Sequence, residues 1–225
     1  MPIKEAFEKE IKTGSVIMTW INSYSGLMIR SPCTTLIIDP MGIYNLNQYE
    51  HVDAIIITHE HSDHFDPNFV CSLQEKTGAQ ILTTPYISKK LNGNKSHSLQ
   101  IGDFFPLNDL ILHAEYCDHP GNQPLSFVIS TEDGINIYHP SDSDPFASMT
   151  EIRRKYRPQI LIYVSVSPKK AAQIATMVKP EVVITYYTDE LTNPKYIKEI
   201  AKENPEIKTK LIRRFEVYQY PDQNA

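Results

Sequence analysis

Apolar residues along the chain come in short runs whose spacing shifts between strand-like and helix-like periods. Ile3, Phe7 and Ile11 recur at helical intervals among charges, which predicts a short amphipathic helix over 3–12. Ser15–Trp20, Gly26–Ile29 and Thr34–Ile38 are rich in β-branched and aromatic residues. They are split by Asn22-Ser23 and Ser31-Pro32, so they read as strands joined by turns. Val52–Ile57 is a near-continuous apolar strand, the pattern of burial on both faces of a sheet. Asp66-Pro67 reads as a helix cap with proline in the first turn, and Gly78 as the stop. A strand at Ile81–Thr83 and a short helix near Ile87–Leu91 continue the alternation.

Leu110–Tyr116, Leu125–Ser130 and Ile135–Tyr138 are the next predicted strands, with Glu132-Asp133-Gly134 turning between the last two. A helix follows Pro145 and runs to about Tyr156, then a strand over Ile160–Val166. Pro168 opens a helix to about Val178, Val182–Tyr187 is a strand, and Asn193-Pro194 starts a helix ending before Pro205. Leu211–Tyr220 is extended. Periodicity alone reaches a mixed, α+β class. The order, strands in runs and then strands alternating with helices, supports a four-layer αββα sandwich of two mixed sheets with helices outside. A length of 225 residues fits a single domain over 1–225.

Composition narrows the function more than the fold. An apolar fraction of 41% and a charged fraction of 22% suit a globular protein. The formal net charge of −5 argues against a nonspecific nucleic-acid binder without excluding a locally basic groove. No apolar run approaches the length of a bilayer, and the charged start from Met1 to Lys12 lacks the apolar centre of a signal peptide. Membrane association is therefore not expected. Cys33, Cys71 and Cys117 are an odd, scattered set, which suits free thiols and a cytoplasmic location. Nothing in the pattern sets the oligomeric state.

The candidate chemistry is concentrated in Thr58-His59-Glu60-His61-Ser62-Asp63-His64, directly behind Ala54-Ile55-Ile56-Ile57. Three of the eight histidines and a carboxylate fall where a buried strand surfaces. Imidazole and carboxylate are the usual protein ligands of zinc and similar cations. A short turn can point His59 and His61 to one side and Asp63 and His64 to the other, which suits two neighbouring metal ions. Two further candidates follow predicted strands: His119 in Cys117-Asp118-His119-Pro120-Gly121, and Asp142 in His139-Pro140-Ser141-Asp142-Ser143. Alone, the first reads as a surface histidine and the second as a helix cap. Each gains weight by following the first cluster.

The His59-x-His61-x-Asp63-His64 pattern resembles the central motif of the metallo-β-lactamase superfamily of metal-dependent hydrolases. The likeness runs from about Ser15 to the C-terminus. It includes Ile37-Ile38-Asp39-Pro40, similar to a strand ending in a buried aspartate, and Tyr138-His139-Pro140-Ser141-Asp142, similar to a segment ending in a bridging aspartate. The chain looks like the short, single-domain branch that includes L-ascorbate-6-phosphate lactonase. The resemblance implies that His59, His61 and His119 hold one metal, while Asp63 and His64 serve a second and Asp142 bridges the pair. Asp39 would orient the motif loop or one of its imidazoles, a role metal sites generally need, or be a turn aspartate before Pro40. The implied cofactor is one or two divalent ions, zinc first, with manganese and iron as alternatives.

Three positions depart from that family pattern. Tyr187 stands where a histidine of the second metal site is expected, and tyrosine ligates only as phenolate. Asp189 and Cys117 are candidates to substitute for it. Trp20-Ile21-Asn22-Ser23 stands where close relatives often carry Gly-His, and Ser141 replaces a glycine. The implied activity is hydrolysis of a small ester, lactone or phosphodiester by a metal-activated water, with Asp63 as catalytic proton acceptor. The alternative is a metal-binding, catalytically impaired member with a sensing or partner-binding role. Iron redox chemistry is disfavoured because flavodiiron relatives carry a glutamate where this chain has His61. Cleavage of RNA is disfavoured because the long nucleases of the superfamily insert a further domain. Arg153-Arg154-Lys155 reads as a solvated face, Tyr186, Tyr218 and Tyr220 as packing residues, and His51, His97 and His113 as structural or exposed.

Overall fold

The computed structural model describes residues 3–42, 45–91, 95–163, 167–186 and 193–222. Its strands in chain order are β1 (Val16–Trp20), β2 (Leu27–Arg30), β3 (Thr35–Ile38), β4 (Ala54–Ile57), β5 (Gln80–Thr83), β6 (Ser96–Ser98) and β7 (Phe104–Leu107). They continue as β8 (Leu110–Tyr116), β9 (Leu125–Thr131), β10 (Asn136–His139), β11 (Ile160–Tyr163), β12 (Val182–Thr185), β13 (Lys208–Leu211) and β14 (Val217–Tyr220). The helices are α1 (Lys4–Glu8), α2 (Pro67–Thr77), α3 (Pro85–Lys90), α4 (Met149–Tyr156), α5 (Pro168–Val178) and α6 (Asn193–Glu203). One sheet runs β14-β1-β2-β3-β4-β5-β6 and the other β13-β12-β11-β10-β9-β8-β7. Both are mixed. Strands β3 to β6 pair in parallel, as do β10 to β13, and the remaining pairs are antiparallel.

The central strands are apolar at every position because each face has its own partner. In β4, Ala54 and Ile56 enter the layer between the sheets, while Ile55 and Ile57 pack outward with Val70 and Leu73 of α2. In β11, Ile160 and Ile162 face the inter-sheet layer, and Leu161 and Tyr163 pack with Ala171 and Ile174 of α5. Three apolar layers between four layers of structure make the αββα sandwich. Toward the edge of the second sheet the pattern reverts to alternation, as in β8, where Leu110, Leu112 and Ala114 are buried and Ile111 is exposed.

Several boundaries differ from expectation. The first helix spans Lys4–Glu8 instead of 3–12, because Arg30 Nη1 takes the carbonyls of Ala6, Phe7 and Lys9 as acceptors. Those acceptors end the helix from a strand that lies far away in sequence. The extended tail divides into β13 and β14, which belong to different sheets. The short β6 and β7 carry no clear alternation and were not expected. Strands β11 and β12 end at Tyr163 and Thr185, and positions 164–166 and 187 lie outside the described residues.

All the parallel strands deliver their C-terminal ends to one rim of the sandwich. The turns after β3, β4 and β10, and Tyr186 just after β12, meet there with the turn after β8, since β8 runs antiparallel to β9 and β9 antiparallel to β10. Helix α2 anchors the turn after β4 from its far side. Asp66 accepts hydrogen bonds from Asn68 N at 3.0 Å and Phe69 N at 3.3 Å, and Gly78 closes the helix in the left-handed region at φ 74°. Replacing Asp66 with Ala should cost about 1 kcal/mol, read as a lowered urea midpoint at unchanged m-value.

Candidate metal centre

Thr58 leaves β4 and pairs at once with Asp39, the first residue after β3. Asp39 is fully buried. Its Oδ1 accepts Thr58 N at 2.8 Å, and its Oδ2 accepts Thr58 Oγ1 at 2.7 Å and His64 Nδ1 at 2.8 Å. With its Nδ1 proton donated there, His64 leaves Nε2 as the ring nitrogen free to meet a cation. The Thr58 hydroxyl is used completely. It gives its one hydrogen to Asp39, receives Ser141 Oγ at 2.9 Å, and lies 3.0 Å from His59 Nδ1. Since that hydrogen is spent, His59 Nδ1 must be the donor, and its Nε2 carries the lone pair.

Three ring nitrogens converge beyond this layer. His61 Nδ1 lies 3.1 Å from His59 Nε2 and 3.1 Å from His119 Nε2. A ring nitrogen has one hydrogen or one lone pair in the ring plane, so His61 Nδ1 can make one well-directed hydrogen bond here and not two. Nitrogens on a tetrahedral zinc with bonds of about 2.0–2.1 Å stand about 3.3 Å apart, so the spacing fits a shared cation. A second group consists of His59, His64 and Asp142. His64 Nε2 stands 3.3 Å from Asp142 Oδ2 and 3.6 Å from Asp63 Oδ2. His64 Nε2 and Asp142 Oδ1 are buried without a hydrogen-bond partner. Buried polar atoms left open are costly, and a cation would complete both.

Burial, reinforced by the nearby His64 charge, pulls His59 down to about 3, so it stays neutral and able to ligate. Burial likewise lowers His119. Burial works against protonating His64, yet the carboxylates of Asp39 and Asp142 outweigh it and push it up to about 10. Burial pulls Asp142 upward, but His64, His59 and His119 together hold it below the usual carboxylate range. The pocket around His64 Nε2 therefore favours positive charge.

The structure thus brings His59, His61, Asp63, His64, His119 and Asp142 to one rim, with Asp39 beneath them. Tyr187 and Asp189 lie outside the described residues. Cys117 belongs to neither donor group; its buried thiol donates to Pro140 O at 3.6 Å, and burial pushes it up to about 12. Several supporting residues escaped the sequence reading. Thr58 carried a signal in its place at the strand end before the first histidine. Glu60 holds the His119 loop by accepting Asn122 N at 2.8 Å. Asn22, where a Gly-His pair was expected, is a scaffold. It accepts Tyr24 N at 3.0 Å and Gly26 N at 2.9 Å, and an added Cβ at Gly26 would lie 2.2 Å from its Nδ2.

A model of the beta-lactamase superfamily domain matches residues 18–186. The chain belongs to the metallo-β-lactamase superfamily. Among its relatives in that superfamily, a metal-dependent hydrolase of Caldivirga maquilingensis is 27% identical over 158 residues, covering 65% of this chain and 68% of its own length. A metal-dependent hydrolase of Thermodesulfovibrio yellowstonii is 25% identical across 89% of this chain and 90% of its own. The metallo hydrolase Igni18 of Ignicoccus hospitalis shares the fold, with a TM-score of 0.77 at 20% identity over 93% of this chain and 100% of its own. Among the described residues no helix is long and apolar enough to cross a membrane.

Thr58→Val keeps the shape but leaves His59 Nδ1 without its closest acceptor. Competition with a chromophoric chelator should show cation affinity reduced about 10–100-fold, whereas Thr58→Ser should retain it.

Proposed function

We propose that this superfamily member is a metal-dependent hydrolase that cleaves a small ester, lactone or phosphodiester. The observation that carries the reading is the convergence of His59 Nε2, His61 Nδ1 and His119 Nε2 beside the open atoms of His64 and Asp142. In this reading His59, His61 and His119 would hold one cation, Asp63 and His64 would serve a second, and Asp142 would contribute to both. Zinc fits the imidazole-rich donor set best, and manganese and iron are the alternatives that elemental analysis separates. A bound cation supplies Lewis acidity and lowers the pKa of coordinated water.

The protein's own groups do the rest. Asp39 and Thr58 accept the Nδ1 hydrogens of His64 and His59, so Nε2 of each is the nitrogen left to ligate. Burial already keeps His59 neutral. His64, pushed up to about 10 by Asp39 and Asp142 in spite of its burial, would give up its Nε2 proton as a cation binds. Asp142 stays ionised under the influence of His64. Asp63 has a side chain 38% exposed and faces the solvent side, which suits it to accept the proton of an attacking water. The layer shared by both sheets supports one domain over residues 1–225. Three free cysteines suit a reducing compartment, and the cytoplasm is the proposed location. The impaired-enzyme reading rests on Tyr187, which lies outside the described residues, and on the missing Gly-His, where Asn22 holds the turn between β1 and β2.

Hydrolysis of bis(p-nitrophenyl) phosphate or p-nitrophenyl acetate should vanish on chelation and return with added zinc or manganese. Asp63→Asn should lower kcat by about 10²-fold or more. Turnover that survives complete removal of metal would sink the proposal.

A further inference from the structure

We propose that Tyr186 is a positioning residue whose hydroxyl braces the turns carrying Asp63 and Asp142, and so sets the affinity of the cation position built on His64. The inference deepens the two-cation reading above and rests on it. Tyr186 follows β12 and is fully buried, as are Ser25 and His139. Its hydroxyl donates to Ser25 O at 2.8 Å, reaching from one sheet to the turn between β1 and β2 in the other. That uses the one hydrogen of the phenol. His139 Nε2, 3.2 Å from the same oxygen, must then be the donor. Its tautomer agrees, because His139 Nδ1 accepts from Ser141 N at 3.2 Å. At the other end, Ser25 Oγ donates to Asp63 O at 2.9 Å.

A continuous path therefore runs from Ser141 through His139, Tyr186 and Ser25 to Asp63, with every proton assigned. Its two ends are the backbone of the turns whose carboxylates face His64 Nε2, Asp142 at 3.3 Å and Asp63 at 3.6 Å. The path fixes how far apart those carboxylates stand. The three-histidine group touches this path at Ser141, whose Oγ meets Thr58 and His59. The His119 loop rests on Glu60 instead, and among the described residues the His61 and His119 rings make no hydrogen bond to the path. A change at Tyr186 should accordingly fall on one cation position more than the other. Tyr186 also places its ring 6.3 Å from that of Trp20, a packing contact that phenylalanine would keep.

The test is a zinc titration of metal-stripped full-length protein against a chromophoric chelator, resolving the two equivalents, for the wild type, Tyr186→Phe and Ser25→Ala. Both variants should weaken the second equivalent about tenfold or more and leave the first within about threefold. The ratio of the two affinities is the informative reading, since a general loss of packing would lower both. Thermal unfolding establishes that each variant is folded, and Ser25→Ala carries the test if Tyr186→Phe is not. Equal weakening of both equivalents, or no change in either, overturns the inference. A wild type that takes up one equivalent overturns it too while leaving the three-histidine position standing. A wild type that binds no zinc, manganese or iron defeats the hydrolase reading itself.

Discussion

The Asp39 carboxylate is out of contact with solvent and accepts from three donors: the Thr58 amide, the Thr58 hydroxyl and His64 Nδ1. A buried carboxylate costs several kcal/mol unless its lone pairs are used, so the chain is strongly driven to supply those donors. All three come from the exit of β4. Satisfying Asp39 therefore dictates the path of that exit and the ring orientation of His64, and through Thr58 that of His59. The ring nitrogens left without a partner in that layer point to the rim. Removal of water from one carboxylate thus organises a site that faces water.

The sandwich makes this arrangement available because strands from both sheets end at the same rim. Asp39 and the histidine motif come from one sheet, while His119, Asp142 and Tyr186 come from the other. The hydrogen bonds that join them span long sequence separations, as between Ser141 and Thr58 or Tyr186 and Ser25. The apolar layer between the sheets holds the two halves in register, and the polar links refine that register where the chemistry is placed.

Much of the fold was legible because the central strands face apolar partners on both sides and so appear as uninterrupted runs, as in Ile55-Ile56-Ile57. Capping chemistry also reads locally: Asp66, Pro67 and Gly78 bound α2 where expected. The early end of α1 was not legible, since the residue responsible, Arg30, lies on a strand. Nor was the division of the tail into β13 and β14, because extended sequence does not say which sheet a strand joins. At the site, the dense motif and the two later residues could be named, and the fold brings them together. Their supports could not. Thr58, Ser25 and Tyr186 act through partners that only the folded chain supplies, and the periodicity of Tyr186 is that of any packing residue.

Asn22 and Gly26 illustrate what such dependence does over longer times. The amide of one occupies the volume that any side chain at the other would need, while its oxygen accepts the amide hydrogen of that same glycine. Neither position is free to drift alone. Substitution at 26 is tolerable only after 22 has changed, and change at 22 leaves the loop that carries Ser25 without its internal tether. The two sites should therefore vary as a coupled pair among descendants of this chain, a historical constraint imposed by steric exclusion and one amide bond.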